Sequence, residues 1–441
     1  MKRLNRFVRG CSYSLTQGQC LARVMRWIIR NTSVLLLALG LFFLAPALRA
    51  ETLVSTRTLL DNFFGVNLHL DNCCRGQYEN LKAVIDHINY IGATRLRDWA
   101  VARPGVFERW QSVYKATGAP FHASIPAASP SHQRIALGVI KDWLHKTPGM
   151  IDVIEGGNEE DTPYPKKLGA TLADTAALQA EVYVLGRKAG VKVAQLSVGA
   201  GWYPPYYEGN YKKFGKPPAD YGNAHTYLLP GVGPTYALKR VGNLAAWSVD
   251  GKPVDVTEFG FYRTKAQPES LSTAYMHLAP FASYLLGHKY MLVYALHDDP
   301  SNAMGFYDTA GKARAHADYW HVTTRLLADA GGKSLPPKTA SISFSDQRGS
   351  GKGSAGIKNV PMYKSDGSVW IVTYDEVAKV VTTDASQTIT FDKTYPVVQV
   401  LSGRTGAEVQ RLNNARKISV RLPSNHLFFV VAGSKPVIYK P

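Results

Sequence analysis

The stretch "IDVIEGGNEED" (residues 151–161), followed after a short connection by "LADTAALQAEVYVLGRKAG" (172–190), decides how this chain reads. Ile151, Val153 and Ile154 form a strand-like apolar run that meets two glycines, an asparagine and three acids, Glu159, Glu160 and Asp161. Three carboxylates at one strand tip repel each other, so the fold gains nothing obvious from them. Either they form a solvated loop, or one of them does chemistry at a strand end. The segment after them is helical in composition and closes on Gly190, which makes the pair a strand–helix unit.

The same unit repeats on both sides. Upstream, "FFGVNLHL" (63–70), "TRLRDW" (94–99) and "PFHASIP" (120–126) precede helical segments near 78–92, 106–117 and 131–146. In the first of these, Leu81, Val84, Ile85, Ile88 and Ile91 recur at helical spacing. Downstream come "VKVAQLSVGAGW" (191–202), "YGNAHTY" (221–227), "PVDVTEFGF" (253–261) and "YMLVYALHDD" (290–299), the last three each leading to a helix. Eight strand–helix units in about 270 residues predict a (β/α)8 TIM barrel.

Past the Gly/Pro-rich "GGKSLPPKTAS" (331–341) the pattern changes to short alternating strands: "SVWIVTYDE", "QTITFDK", "VVQVLSG", "KISVRLP" and "HLFFVVAG". Asp366-Gly367 supplies a hairpin turn before the first of them. The expected organisation is an N-terminal segment (1–50), a catalytic barrel (51–335) and a C-terminal all-β sandwich domain (336–441).

The first 50 residues carry eight basic residues and no acid, with an apolar run from Val34 to Leu44 and small residues at Ala45, Ala47 and Ala50. That run is shorter than the roughly 20 residues a membrane-spanning helix needs, so it reads as a cleaved signal peptide with Met25 as an alternative start. A secreted or periplasmic location follows. The alternative is an uncleaved inner-membrane anchor, which would then be the chain's membrane contact. The remainder holds 43 basic and 33 acidic residues, net +10, without an Arg-rich cluster or nucleic-acid motif. Such a surface suits an anionic polysaccharide and gives no reason to expect nucleic acid. Cys73 and Cys74 are adjacent and cannot staple a loop, and no Cys/His spacing matches a zinc site. Neither metal nor cofactor is expected.

Catalytic groups of such barrels sit at the C-terminal strand ends. Glu159 falls there on the fourth strand and Glu258, in "VDVTEFG", on the seventh. Two inward carboxylates suit glycoside hydrolysis, one attacking the anomeric carbon and the other protonating the leaving oxygen. Asn158 is placed to hold a sugar 2-hydroxyl. His225 and Tyr227 end the sixth strand, with Tyr227 set to donate to the nucleophile. Arg97 ends the second strand, where its charge favours an ionised Glu258. His69 ends the first, and Trp99 and Trp202 stand on loops at the same face as sugar-stacking rings. A structural reading accompanies each: a single strand-end glutamate is more often a loop acid, Glu155 reads as a buried structural acid, and Asp161 as a helix cap.

Taken together, "GVNLHLDN", "IEGGNEED", "AHTY", "TEFGFY" and "YALHDD" resemble clan A glycoside hydrolases, and look like secreted bacterial proteins of family 39 or family 5 type. The resemblance spans about residues 60–330. It implies acid/base and nucleophile roles for Glu159 and Glu258. One departure stands out: where many members carry a tryptophan at the end of strand eight, this chain reads Ala295-Leu296-His297-Asp298. His297 and Asp298 are accordingly candidates for binding a hydroxyl or carboxylate of an unusual sugar. The expected activity is retaining hydrolysis of a poly- or oligosaccharide, with an exopolysaccharide as one setting. The alternatives are a non-catalytic glycan-binding protein on the same scaffold and, last, a metal-dependent barrel hydrolase.

Overall fold

A computed structural model describes residues 49–71, 76–199, 210–229, 231–261, 268–299, 303–332, 334–347, 354–377 and 385–440. The N-terminal segment through residue 48, Cys73, Cys74 and Trp202 lie outside them. Among the described residues no helix is long and apolar enough to cross a membrane.

The first strand, β1 (Arg49–Ser55), leads into helix α1 (Thr56–Phe63). Eight parallel strands follow: β2 (Gly65–Asn67), β3 (Arg95–Trp99), β4 (Phe121–Ile125), β5 (Ile151–Gly157), β6 (Lys192–Ala194), β7 (Gly222–Leu228), β8 (Val254–Phe261) and β9 (Tyr290–Val293). They pair in the order β6-β5-β4-β3-β2-β9-β8-β7, and an Ala194–Tyr221 bridge spans the seam. The helices between them are α2 (Leu81–Ile91), α3 (Val106–Thr117), α4 (Pro130–Lys146), the short α5 (Pro163–Lys167), α6 (Leu172–Ala189), α7 (Pro234–Trp247), α8 (Glu269–Leu285) and α9 (Ala315–Leu327). This is the TIM barrel expected from the strand–helix rhythm.

Local chemistry sets the helix ends. Asn80 accepts the Ala83 N–H at 3.1 Å to start α2, and Gly92, at φ 67°, stops it. Thr171 and Asp174 cap each other's backbone at the start of α6, which stops on Gly190 at φ 72°. In α2, Val84, Ile88 and Ile91 form the buried stripe.

The remaining strands are β10 (Lys338–Gln347), β11 (Ser354–Tyr363), β12 (Val369–Val377), β13 (Ala385–Ser402), β14 (Glu408–Leu422) and β15 (Leu427–Gly433). With β1 they form a seven-stranded sheet. The Asp366-Gly367 hairpin forms as expected, joining β11 to β12 with Tyr363 opposite Val369. Two expectations change. "QTITFDK" and "VVQVLSG" are one strand, β13, whose register slips between Thr390 and Tyr395. Its first half pairs with β10 and its second with β15, so the sheet folds back on itself. The other change concerns β1, which pairs with β10 and β11, so residues 49–55 belong to this sheet and not to the barrel.

Strand β12 shows how the two units join. Val369 and Ile371 pack inside the β domain, whereas Trp370, Val372 and Tyr374 pack into the barrel's core cluster. Both faces are buried, which explains the unbroken apolar run. Glu376 completes the joint: it accepts the Thr235 N–H at 3.1 Å and the Thr235 hydroxyl at the start of α7. Glu376→Ala is therefore expected to cost about 1–2 kcal/mol, because it strips a half-buried helix-start donor of its partner. Urea unfolding of the full chain reads this, and Glu376→Gln, which keeps an acceptor, should retain most of the stability.

Candidate active site

Side chains stack inside the barrel in layers. At the bottom His122 Nδ1 meets Asp255 Oδ2 at 3.0 Å with both residues fully buried, and the Arg95 guanidinium lies 4.0 Å over the Tyr290 ring. Arg97 forms the middle layer and uses all five of its N–H donors. Nε bonds Glu155 at 2.8 and 2.9 Å; Nη1 bonds Asn67 at 2.7 Å and Glu258 at 2.6 Å; Nη2 bonds Ser124 at 3.3 Å and Asn158 at 2.7 Å. Burial alone would lower its proton affinity, but Glu155 and Glu258 hold the guanidinium above its ordinary value. One fully bonded cation thus ties strands one, two, three, four and seven together beneath the mouth.

Glu258 reaches the mouth through a bulge. Between the Asn223–Asp255 and His225–Glu258 pairs, β7 advances two residues and β8 three. Against β9, β8 again carries the extra residue, between Val256 and Phe259. Thr257 and Glu258 consequently both face inward, Thr257 onto Asn223 at 2.5 Å and Glu258 onto Arg97, Tyr227 and His225. Bulges of this kind re-aim side chains next to functional sites. Burial pushes the Glu258 carboxyl up, yet His225, Arg97 and the Tyr227 hydroxyl bond outweigh it and hold it below the usual carboxylate range. The same burial, followed by the Glu258 charge, drives Tyr227 well up, so its phenol stays a donor.

The three acids at the tip of β5 part company. Glu159 has φ 48°, a left-handed conformation that is strained for a non-glycine residue. The Ser197 hydroxyl accepts the Glu159 N–H at 2.9 Å, and the Ser197 carbonyl accepts the Glu160 N–H at 3.3 Å. So held, Glu159 projects to His225 Nδ1 at 3.0 Å and keeps 28% of its side chain exposed. That nitrogen is also 3.4 Å from Glu258 Oε2. Carboxylate oxygens of Glu159 and Glu258 and a ring nitrogen of His225 all lie within 4.8 Å of one another.

Glu160 and Asp161 are not solvated loop acids. Glu160 is only 4% exposed and accepts from Gln133 and from Thr175 at 3.1 Å. Asp161 accepts the Gly199 N–H at 2.6 Å and Asn210 Nδ2 at 2.5 Å, fastening loops together, while Thr171 caps the long helix instead. Burial raises the Glu160 carboxyl to about 7. Between the ordinary carboxylate value and 7 the folded chain binds the extra proton, so stability from this group is present at low pH and falls as pH rises through 7. Glu160→Gln is expected to flatten the loss of urea midpoint between pH 5 and pH 8, an effect on the order of 2 kcal/mol.

The remaining candidates divide. Asn158 Oδ1 is fixed by Arg97, which leaves its amide N–H groups for a ligand. His69 Nε2 lies 3.0 Å from the Tyr294 hydroxyl, and its ring packs edge-on to Trp99 at 5.5 Å. Tyr294 in turn lies edge-on to Tyr227 at 6.3 Å. His297 sits farther along the rim, bonded to His87 at 2.8 Å, with burial and then His87 lowering it to about 4. Asp298 accepts the Gly305 N–H at 2.6 Å and pairs with Arg314, so it anchors its own loop. No described hydrogen bond, ion pair or ring contact links His297 or Asp298 directly to Glu159 or Glu258. The site also holds Asn67, Ser197 and Tyr294, which are not among the residues expected from the sequence. Asn67 shares inward parity with His69, a usable signal, whereas Ser197 and Tyr294 carry none.

No protein-family model matches the chain, and no curated protein matches its sequence. Its fold does match solved structures. A family 39 glycoside hydrolase from Bacteroides cellulosilyticus WH2 is 14% identical with a TM-score of 0.56, covering 85% of this chain and 82% of that one. A family 39 β-xylosidase from Caulobacter crescentus is 13% identical with a TM-score of 0.56, covering 87% and 98%. A broad-specificity family 5 endoglucanase from Clostridium longisporum is 13% identical with a TM-score of 0.45, covering 62% and 99%. The chain shares the fold of clan A glycoside hydrolases. With the two family 39 enzymes, at 13–14% identity, the likeness is one of fold.

Proposed function

We infer that this chain is a retaining glycoside hydrolase acting on a poly- or oligosaccharide, with Glu258 as nucleophile and Glu159 as acid/base. The observation that carries the reading is the facing pair of carboxylates from strands four and seven, with oxygens within 4.8 Å. Retaining enzymes separate their carboxyl groups by about 5–5.5 Å, whereas inverting ones need about 6.5–9.5 Å to admit a water. The surroundings differ in the sense the roles require. Glu258 is 5% exposed and held ionised, ready to attack. Glu159 stands nearer solvent, where it delivers a proton to the leaving oxygen and then takes one from water. Asn158 donates to the 2-hydroxyl as charge develops at the anomeric carbon.

The basic N-terminus and apolar run support export to the periplasm or beyond, where polysaccharide is met. Intact-mass analysis of cell-envelope protein should show a start after Ala47 or Ala50; retention of Met1 or Met25 would favour the anchor. For activity, the test is digestion of a glycan panel by the full exported chain, with product anomers followed by NMR. Release of products with retained configuration is expected. Binding without turnover on every glycan would instead make the chain a glycan-binding protein.

A further inference from the structure

A second cluster stands on the neighbouring side of the barrel mouth. His69 and Asp71 follow β2, and Asp98 lies near the end of β3. They are 5%, 8% and 2% exposed. One ring nitrogen of His69 and one carboxylate oxygen from each aspartate lie within 4.8 Å of one another. The proposed hydrolysis gives this group no role.

Two observations point to a ligand there. First, His69 Nε2 is engaged by the Tyr294 hydroxyl, while Nδ1 is buried with no hydrogen-bond partner among the described residues. A buried imidazole nitrogen without a partner is costly unless something takes its lone pair. Second, the two carboxylates face each other out of water, where like charges repel strongly. Asp98 already accepts the Leu70 N–H at 2.8 Å and the Trp99 N–H at 2.7 Å. Those bonds fix its orientation as outer contacts fix metal ligands, and leave each oxygen a second lone pair. Asp71 is 3.3 Å from Arg103, whose side chain is 59% exposed.

We propose that His69, Asp71 and Asp98 form a binding site for one divalent zinc-class cation. One imidazole and two carboxylates are a mixed nitrogen–oxygen set, which suits zinc or manganese better than calcium, an all-oxygen ion. The three atoms, within 4.8 Å of one another, would close in to the roughly 2.0–2.3 Å such ions require. Three protein ligands leave at least one coordination position for water or a sugar hydroxyl. The ion pins the chain following β2 to the end of β3. Through His69 and Tyr294 it lies two ring contacts from Tyr227, the partner of Glu258. Its role is to brace the rim and orient a hydroxyl, separate from the two-carboxylate chemistry.

The test is calorimetric titration of the chelator-stripped full chain with Zn2+, and in parallel with Mn2+ and Ca2+. It is run in the Glu159→Gln/Glu258→Gln background, because Glu159, His225 and Glu258 meet the same distance limit. One Zn2+ per chain is expected, with Ca2+ weaker than Zn2+ and Mn2+. Asp98→Asn and Asp71→Asn should each weaken Zn2+ binding by more than about 100-fold, beyond the loss typical of outer-shell changes. Circular dichroism checks that each variant is folded, and should one fail to fold the other decides. Co2+ bound at the site should also quench Trp99 fluorescence, a signal that Asp71→Asn abolishes. Absence of Zn2+ and Mn2+ binding, or binding unaffected by either aspartate change, would overturn the proposal; a shared proton would then relieve the carboxylate pair. Either outcome leaves the glycan-panel result independent.

Discussion

Glu258→Gln is expected to lower kcat/KM by roughly 10⁴–10⁶-fold, the size of loss seen when a covalent nucleophile is removed. Glycan binding should stay close to that of the unaltered chain. The amide preserves the local bonding: its oxygen still accepts from Arg97 Nη1, which is 2.6 Å from the carboxylate, and its nitrogen can donate to Tyr227. What it loses is the anionic oxygen that forms the glycosyl ester. A fluorosugar or cyclophellitol-type probe matched to the substrate should trap that ester, and peptide mapping should place the added mass on "PVDVTEFGFYR" (253–263). The other inward acids are poor rivals. Glu155 is 1% exposed with both oxygens on Arg97, and Glu160 is turned onto Gln133 and Thr175. A label on either, or a product of inverted configuration, would sink the assignment.

The bulge that delivers Glu258 marks where sequence reasoning stops. The alternation of β8 is readable in "VDVTEFGF", and so is a glutamate near its end. The extra residue is defined only against β7 and β9, through register shifts that no single segment contains. Helices were more accessible because their stops are local: Gly92, Gly118 and Gly190 each close one in the left-handed conformation. Strand β1 was missed for the opposite reason. "RAETLVS" borders the apolar N-terminal segment, and its partners β10 and β11 lie about 300 residues away. In the site, Arg97, Asn158, His225 and Tyr227 were legible from their places near the ends of alternating strands, taken together with the two glutamates. Ser197 was not. Only the fold shows that β6 stops at Ala194, after which the chain bends to place a hydroxyl under the Glu159 amide.

That hydroxyl matters for the second large effect, because it holds Glu159 in the conformation that points its carboxyl at the cleft. Glu159→Ala is expected to slow substrates with poor leaving groups by about 10²–10⁴-fold, the range for a lost general acid. Aryl glycosides whose leaving group needs no proton should form the glycosyl ester at nearly the normal rate and then stall, because water lacks its base. Azide needs no base. With 28% of the Glu159 side chain exposed, the alanine variant opens a path from solvent to the anomeric carbon. Added azide should therefore restore turnover on activated substrates and yield a glycosyl azide of retained configuration. His225 separates this from a general loss of structure. It keeps its 3.4 Å approach to Glu258 in the variant, so the nucleophile's surroundings persist and the ester still forms. Equal losses on both substrate types, without azide rescue, would remove Glu159 from the acid/base role and leave Glu258 without a partner for the first step.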